Sequence, residues 1–150
     1  MPAPLQTKPC CVVSSTRWNG GEEARRISVV GFTTEFYKYS GAADLVITRA
    51  GATTIAELAA QKKAVVLIPA PFLAAGHQLH NAEALAKHGA VEMLSNDVPA
   101  EELLSELKEL LSSPARRKEL GETLGRFAKP HAAQELSEVV LEVADRGINR

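Results

Sequence analysis

"DLVITRAGATTIAEL", residues 44–58, changes its hydrophobic period part-way through. "DLVIT" (44–48) is a short apolar, β-branched run of strand type. "TTIAELAAQ" (53–61) resumes with apolar residues three and four apart, as in a helix. Between them "RAGA" carries one arginine and one glycine. Strand, tight glycine turn and helix in immediate succession form the unit from which parallel sheets are wound.

The same alternation extends in both directions. On the amino-terminal side "CCVVSS" (10–15) reads as a strand, "TRWNGGEEARR" as a loop turning at Asn19–Gly20–Gly21, and "ISVVGF" (27–32) as a second strand. "TTEFYKYSGA" (33–42) suits a short helix capped by Thr33 and ending near Gly41. On the carboxyl-terminal side follow strand "AVVLIP" (64–69), helix "HQLHNAEALAKH" (77–88) and strand "AVEML" (90–94). These strands are apolar throughout rather than at every second residue, which predicts burial on both faces. The expected fold class is therefore α/β, a Rossmann-like doubly wound parallel sheet. Beyond Asp97 the pattern is helical alone: one helix opens at Pro99, another at Pro114 and a third from Pro130 toward Gly147, a carboxyl-terminal helical tail.

The chain has 150 residues, 45% of them hydrophobic, enough for one domain with a real core. Seventeen basic residues against eighteen acidic ones give a formal charge of -1, so no global field points to nucleic acid or an anionic membrane. No transmembrane segment is expected, and "MPAPLQTKP" lacks the apolar core of a secretory signal, so the expected location is cytoplasmic. Cys10 and Cys11 are adjacent within an apolar run and read as reduced core thiols. No third ligand joins His77 and His80 into a metal site, and no nucleophilic triad is legible in the spacing.

In doubly wound sheets ligands gather beyond the carboxyl ends of the strands. "RAGATT" occupies such a place. Gly51 permits close approach of a ligand or a positive φ, and the free N–H groups and dipole of the following helix favour an anion such as phosphate. With Ile55, Leu58 and Ala59 on the buried stripe, Glu57 falls about 200° from Ile55, facing outward. A carboxylate one turn into that helix can accept two hydrogen bonds from a vicinal diol such as a ribose. At the same sheet edge, "PAPFLAAGHQLHNAEAL" (69–85) stops its strand at Pro69 and Pro71 and breaks at Gly76. It presents His77, Gln78 and Asn81, neutral groups suited to sugar hydroxyls. An ordinary βα turn, a solvated glutamate and helix-capping histidines are the competing readings.

The R-x-G-A-x-T-x-x-E run at 49–57 and the H-Q-x-x-N-A run at 77–82 together resemble the carboxyl-terminal, donor-binding half of the family 28 glycosyltransferases. The likeness extends over roughly residues 26–145. It implies one half of a GT-B enzyme, with residues 1–25 a partial amino-terminal strand and loop, 26–145 the UDP-sugar domain, and the acceptor domain absent. The branch it resembles makes lipid II for peptidoglycan: an inverting transfer of N-acetylglucosamine from UDP to a lipid-linked muramoyl sugar, with no cofactor and no bound metal.

Carried over by position, the resemblance assigns Phe32 and Thr33 to the uracil and Gly51, Ala52 and Thr53 to the diphosphate. Glu57 goes to the ribose, and His77, Gln78 and Asn81 to the sugar. Arg49 is expected to brace the loop. The family's glycine-rich loop before the first strand has no counterpart here, and its candidate base belongs to the amino-terminal domain, so no catalytic residue is assigned. The expected partners are the UDP-sugar and, through an amino-terminal domain, a lipid-linked acceptor, with the complete enzyme peripheral to the inner face of the plasma membrane. A non-catalytic UDP-sugar binding module, or the catalytic subunit of another split family 28 transferase, fits the same residues.

Overall fold

The computed structural model describes residues 10–12, 27–30, 32–70 and 77–148. The expected turn at Asn19–Gly21, the stop at Pro71, the break at Gly76 and the environment of Cys10 and Cys11 lie outside what it describes. The chain divides into two compact units, Met1–Ala43 and Asp44–Arg150.

In the first unit β1 (Cys10–Val12) pairs in parallel with β2 (Ile27–Val29), Cys10 opposite Ile27. Helix α1 (Phe36–Ala42) starts three residues later than expected. Thr33 does not cap it: its Oγ1 accepts the Glu35 N–H at 3.0 Å, which stabilises a turn ahead of the helix. Gly41 lies inside the helix, one residue before its end.

The second unit is a three-stranded parallel sheet, ordered β3 (Val46–Thr48), β4 (Val65–Leu67), β5 (Glu92–Met93), with Val46 opposite Val65 and Val66 opposite Glu92. Two crossover helices link the strands, α2 (Ala52–Ala60) and α3 (His77–Lys87). Three helices follow: α4 (Ala100–Ser112), α5 (Pro114–Gly125) and α6 (Ala132–Ile148). Strand β4 is buried along its whole length. Its side chains alternate between two clusters. Val65 and Leu67 join Leu58, Ala59, Ala82 and Leu85 of α2 and α3, whereas Val66 joins Leu110 and Leu120 of α4 and α5. A strand sandwiched between two helical layers needs apolar residues at every position, which is why "AVVLIP" shows no alternation. Burying a leucine such as Leu58 or Leu67 contributes about 1.5–3 kcal/mol.

Turn chemistry fixes where the helices stop and start. Helix α2 ends through Lys62 in the left-handed region, φ 51°, with Lys63 N–H donating to Leu58 O at 3.1 Å. Helix α5 packs directly on this turn, so closely that a Cβ on Gly121 would sit 2.2 Å from the Lys62 carbonyl oxygen. The Lys62 ammonium meets Glu122 at 2.8 Å and pulls that carboxyl below its usual range. Pro114 opens α5 with Ser113 as N-cap, its Oγ accepting the Arg116 N–H at 3.3 Å. Pro99 is the N-cap of α4 rather than a residue of its first turn. Arg116 joins β5 to α5 by pairing with Glu92 at 2.7 Å and Glu119 at 2.9 Å, which raises its own pKa. Glu106 on α4 is pushed the other way from Glu122: partial burial, then the nearby Glu92 and Glu109, raise its pKa.

Candidate functional site: the carboxyl edge of the β3–β4–β5 sheet

Because the three strands are parallel, their carboxyl ends emerge along one edge. β3 runs through Arg49, Ala50 and Gly51 into α2; β4 runs into Ile68, Pro69 and Ala70; β5 runs into Leu94, Ser95 and Asn96. The ladder holds this edge in register, with Ile68 N–H donating to Thr48 O and Leu94 N–H to Leu67 O, both at 3.0 Å.

Helix α2 begins here without a cap. Gly51 is the N-cap, extended at φ -73° and ψ 131°, and no side chain among the described residues caps the first turn. The first intrahelical bond runs from Ile55 N–H to Gly51 O at 2.9 Å, leaving the amides of Ala52, Thr53 and Thr54 as the open donors of the helix start. Ala52 and Thr53 are exposed. Three amides and the positive end of a nine-residue helix thus face outward with nothing from the chain upon them among the described residues.

Glu57 lies four residues beyond Thr53, hence on the same helix face, one turn further along. It is exposed, and its carboxylate has no hydrogen bond or ion pair among the described residues. Leu58 and Ala59 are buried and Ile55 packs beside them, as the stripe predicted. Gly51 departs from expectation in one respect. Its φ is negative, and an added Cβ would meet only Thr54 Oγ1 at 3.9 Å, so neither backbone conformation nor packing within the chain demands glycine there.

The first turn of α3 is tied to the same edge. Asn81 Nδ2 donates to Ala50 O at 3.3 Å, and Gln78 Oε1 accepts the Ala70 N–H at 3.1 Å. These two amides therefore hook α3 to the β3 and β4 exits, a structural use beyond the sugar contacts read from sequence. His77 is exposed at the head of the helix. Arg49 Nη1 donates to Ile68 O at 3.0 Å and to Asn96 Oδ1 at 2.6 Å, joining all three strand ends. Beside it Pro69, Leu79, Met93 and the Leu94–Asp97 turn line an open depression. In the first unit, Phe32 is 85% exposed and Thr33 half-buried. No cluster of three or more metal-ligating side chains occurs among the described residues.

The edge of this parallel sheet thus presents an uncapped helix start, a glutamate one turn on without a partner among the described residues, and a polar helix head beside them. The sequence model of the glycosyltransferase family 28 C-terminal domain matches residues 10–136. The chain belongs to this family. Among similar proteins, the UDP-N-acetylglucosamine--N-acetylmuramyl-(pentapeptide) pyrophosphoryl-undecaprenol N-acetylglucosamine transferase of Anaeromyxobacter sp. (strain K) is 42% identical over 109 residues, covering 72% of this chain and 28% of that protein. Among solved structures, Acinetobacter baumannii MurG superposes with a TM-score of 0.69 at 31% identity, over 77% of this chain and 33% of that one. The glycotransferase of kitacinnamycin shares the fold, with a TM-score of 0.60 at 22% identity, over 85% of this chain and 34% of that one. This family 28 domain therefore spans about a third of the length of the proteins it resembles. No helix among its described residues is long and apolar enough to cross a membrane.

Proposed function

We propose that this family 28 domain is the donor-binding part of an inverting glycosyltransferase that takes N-acetylglucosamine from UDP-N-acetylglucosamine for lipid II synthesis. The observation that carries the reading is the uncapped start of α2 with Glu57 exposed one turn along the same face. It gains weight from the likeness to transferases whose names specify that donor.

In this account the diphosphate takes the open amides of Ala52 and Thr53, next to Gly51, and Glu57 accepts hydrogen bonds from the ribose hydroxyls. For the first unit, taken by itself, the resemblance assigns Phe32 and Thr33 to the uracil. His77 and the NH2 of Gln78 address the sugar, while Asn81 keeps α3 in place behind them. When the glycosidic bond breaks, negative charge grows on the β-phosphate of the departing UDP. Amides already aimed at that phosphate stabilise the charge without having to reorganise, which lowers the barrier. These residues serve the leaving group. The acceptor hydroxyl and the base that deprotonates it belong to the parts of the relatives that this domain does not match. The site is that of an enzyme working from the cytoplasmic face of the membrane, where UDP-sugars are available.

Calorimetric titration of the chain with UDP and with ADP tests the base and phosphate assignments together. Specific binding of UDP is expected, and equal affinity for ADP would remove the uracil contact from the account. Radiolabelled donor, offered with a polyprenyl-diphosphate muramoyl acceptor, tests the division of labour. Transfer is expected when an amino-terminal acceptor domain is supplied and not from the chain alone, since holding two reactants in register can account for about 7–11 kcal/mol of a barrier. Full transfer by the chain alone would overturn that division, and none in an assembled complex would favour a UDP-sugar binding module.

A further inference from the structure

We propose that Asn96 is a positioning residue for the diphosphate end of the donor, acting through Arg49. The inference rests on the donor-site reading above for its ligand, but its structural half stands apart from that reading. Three parallel strands end side by side at this edge, and the backbone ladder stops with them. Beyond the last ladder bonds, only side chains can keep the exits of β3, β4 and β5 in fixed relation.

Arg49 is the first residue after β3 and lies two residues before the Gly51 N-cap. The short link through Ala50, closed by Gly51 N–H donating to Arg49 O at 2.9 Å, therefore sets where the open amides of α2 point. Arg49 reaches across the edge to Ile68 O beyond β4 and to Asn96 Oδ1 beyond β5, both through Nη1. Asn96 is itself placed by its turn. Its Nδ2 donates to Asp97 Oδ1 at 3.3 Å, and the Asp97 N–H donates to Ser95 Oγ at 3.3 Å. Two residues before Asn96, Leu94 N–H is still on the ladder, donating to Leu67 O at 3.0 Å.

Asn96 thus carries the register of the sheet, through one side chain, to the arginine at the root of the phosphate-binding helix. If it is lost, the Arg49 side chain keeps a single carbonyl partner among the described residues. A long side chain with one exposed hydrogen bond holds no fixed geometry, and the 49–51 link loosens with it. Asn96 lies 47 positions from Arg49 and contacts no assigned donor group, so its effect passes through Arg49.

The test combines backbone NMR relaxation of the full chain with calorimetry using UDP and UMP. Asn96→Ala is expected to lower backbone order at residues 49–54 while leaving Val65–Leu67 unchanged. It should weaken UDP about three- to tenfold, the span of one hydrogen bond's net effect, and UMP less, so that the preference for the second phosphate shrinks. Asn96→Asp keeps an acceptor for Arg49 and should restore order at 49–54. Combined with Arg49→Ala, Asn96→Ala should add nothing, because both changes break the same link.

Unchanged order at 49–54, equal losses for UDP and UMP, or additive effects of the two substitutions would each overturn the proposal. A wild-type chain that binds neither nucleotide would sink the donor-site reading instead. The relaxation data and the Asp rescue would then decide the role of Asn96 on their own.

Discussion

Replacing Glu57 by alanine should separate binding from folding. The side chain is exposed, without a hydrogen bond or ion pair among the described residues, on a helix whose buried stripe is made by Leu58, Ala59 and Ile55. Removing it leaves no cavity and orphans no buried group, so stability should change by about 0.5 kcal/mol or less. At this chain length that is on the order of 1–2 °C in Tm. Its assigned role is to accept hydrogen bonds from a ribose diol as a charged carboxylate. Losing such bonds removes about 1.5–3 kcal/mol of binding, which is roughly 10- to 150-fold in Kd for UDP. Glu57→Gln keeps an acceptor oxygen but loses the charge, and should fall between wild type and alanine. Calorimetry with UDP and thermal unfolding without ligand read the two quantities separately. A large drop in the ligand-free Tm, or an unchanged UDP affinity, would refute the reasoning, the first by making Glu57 structural and the second by making it a bystander.

Two further predictions concern the scaffold behind the site. Gly121→Ala puts a Cβ 2.2 Å from the Lys62 carbonyl oxygen and 3.0 Å from its carbonyl carbon, both backbone atoms that cannot swing aside. Helix α5 must back away from the α2–β4 turn, costing about 1–3 kcal/mol, and thermal unfolding should show the loss; an unchanged Tm would mean that α5 packs more loosely. Glu106 has a folded-state pKa raised by partial burial, Glu92 and Glu109, so protonating it favours the fold, and that contribution fades as pH rises through the folded pKa. Glu106→Gln should therefore raise Tm at neutral pH, with the advantage vanishing in acid once Glu106 is protonated in both folded and unfolded chains. An advantage that persisted or grew in acid would show that charge is not its cause.

What was legible in the sequence followed from local physics. The unbroken apolar run of β4 could be read because burial on both faces forbids alternation, and Pro114 marked a helix start because its fixed φ and missing N–H suit a first turn. Glu57 could be placed outward because the helical period fixes its angle from Ile55. The motif that carries the resemblance is equally local, two short runs at strand exits. What was not legible depends on partners distant in the chain. Asn96 meets Arg49 only because the sheet places β5 two strands from β3. Lys62 takes a positive φ that glycine usually fills, and the close fit of α5 makes Gly121, not Lys62, the glycine of that contact. Gln78 and Asn81 looked like ligand groups, and their bonds to Ala70 and Ala50 emerge only once the strand ends are side by side. The late start of α1 is a local effect of another kind: a hydroxyl that can cap a helix also stabilises the competing turn.

The central claim, that the donor's diphosphate and ribose occupy the start of α2, is tested most directly by titrating the isotope-labelled chain with UDP-N-acetylglucosamine and mapping the backbone amide shifts. The account predicts saturable shifts concentrated at Gly51–Thr54 and around Glu57, with a second group at His77 and Gln78. Saturable shifts that leave the amides of Ala52 and Thr53 untouched, and gather instead along α4 or α6, would contradict it.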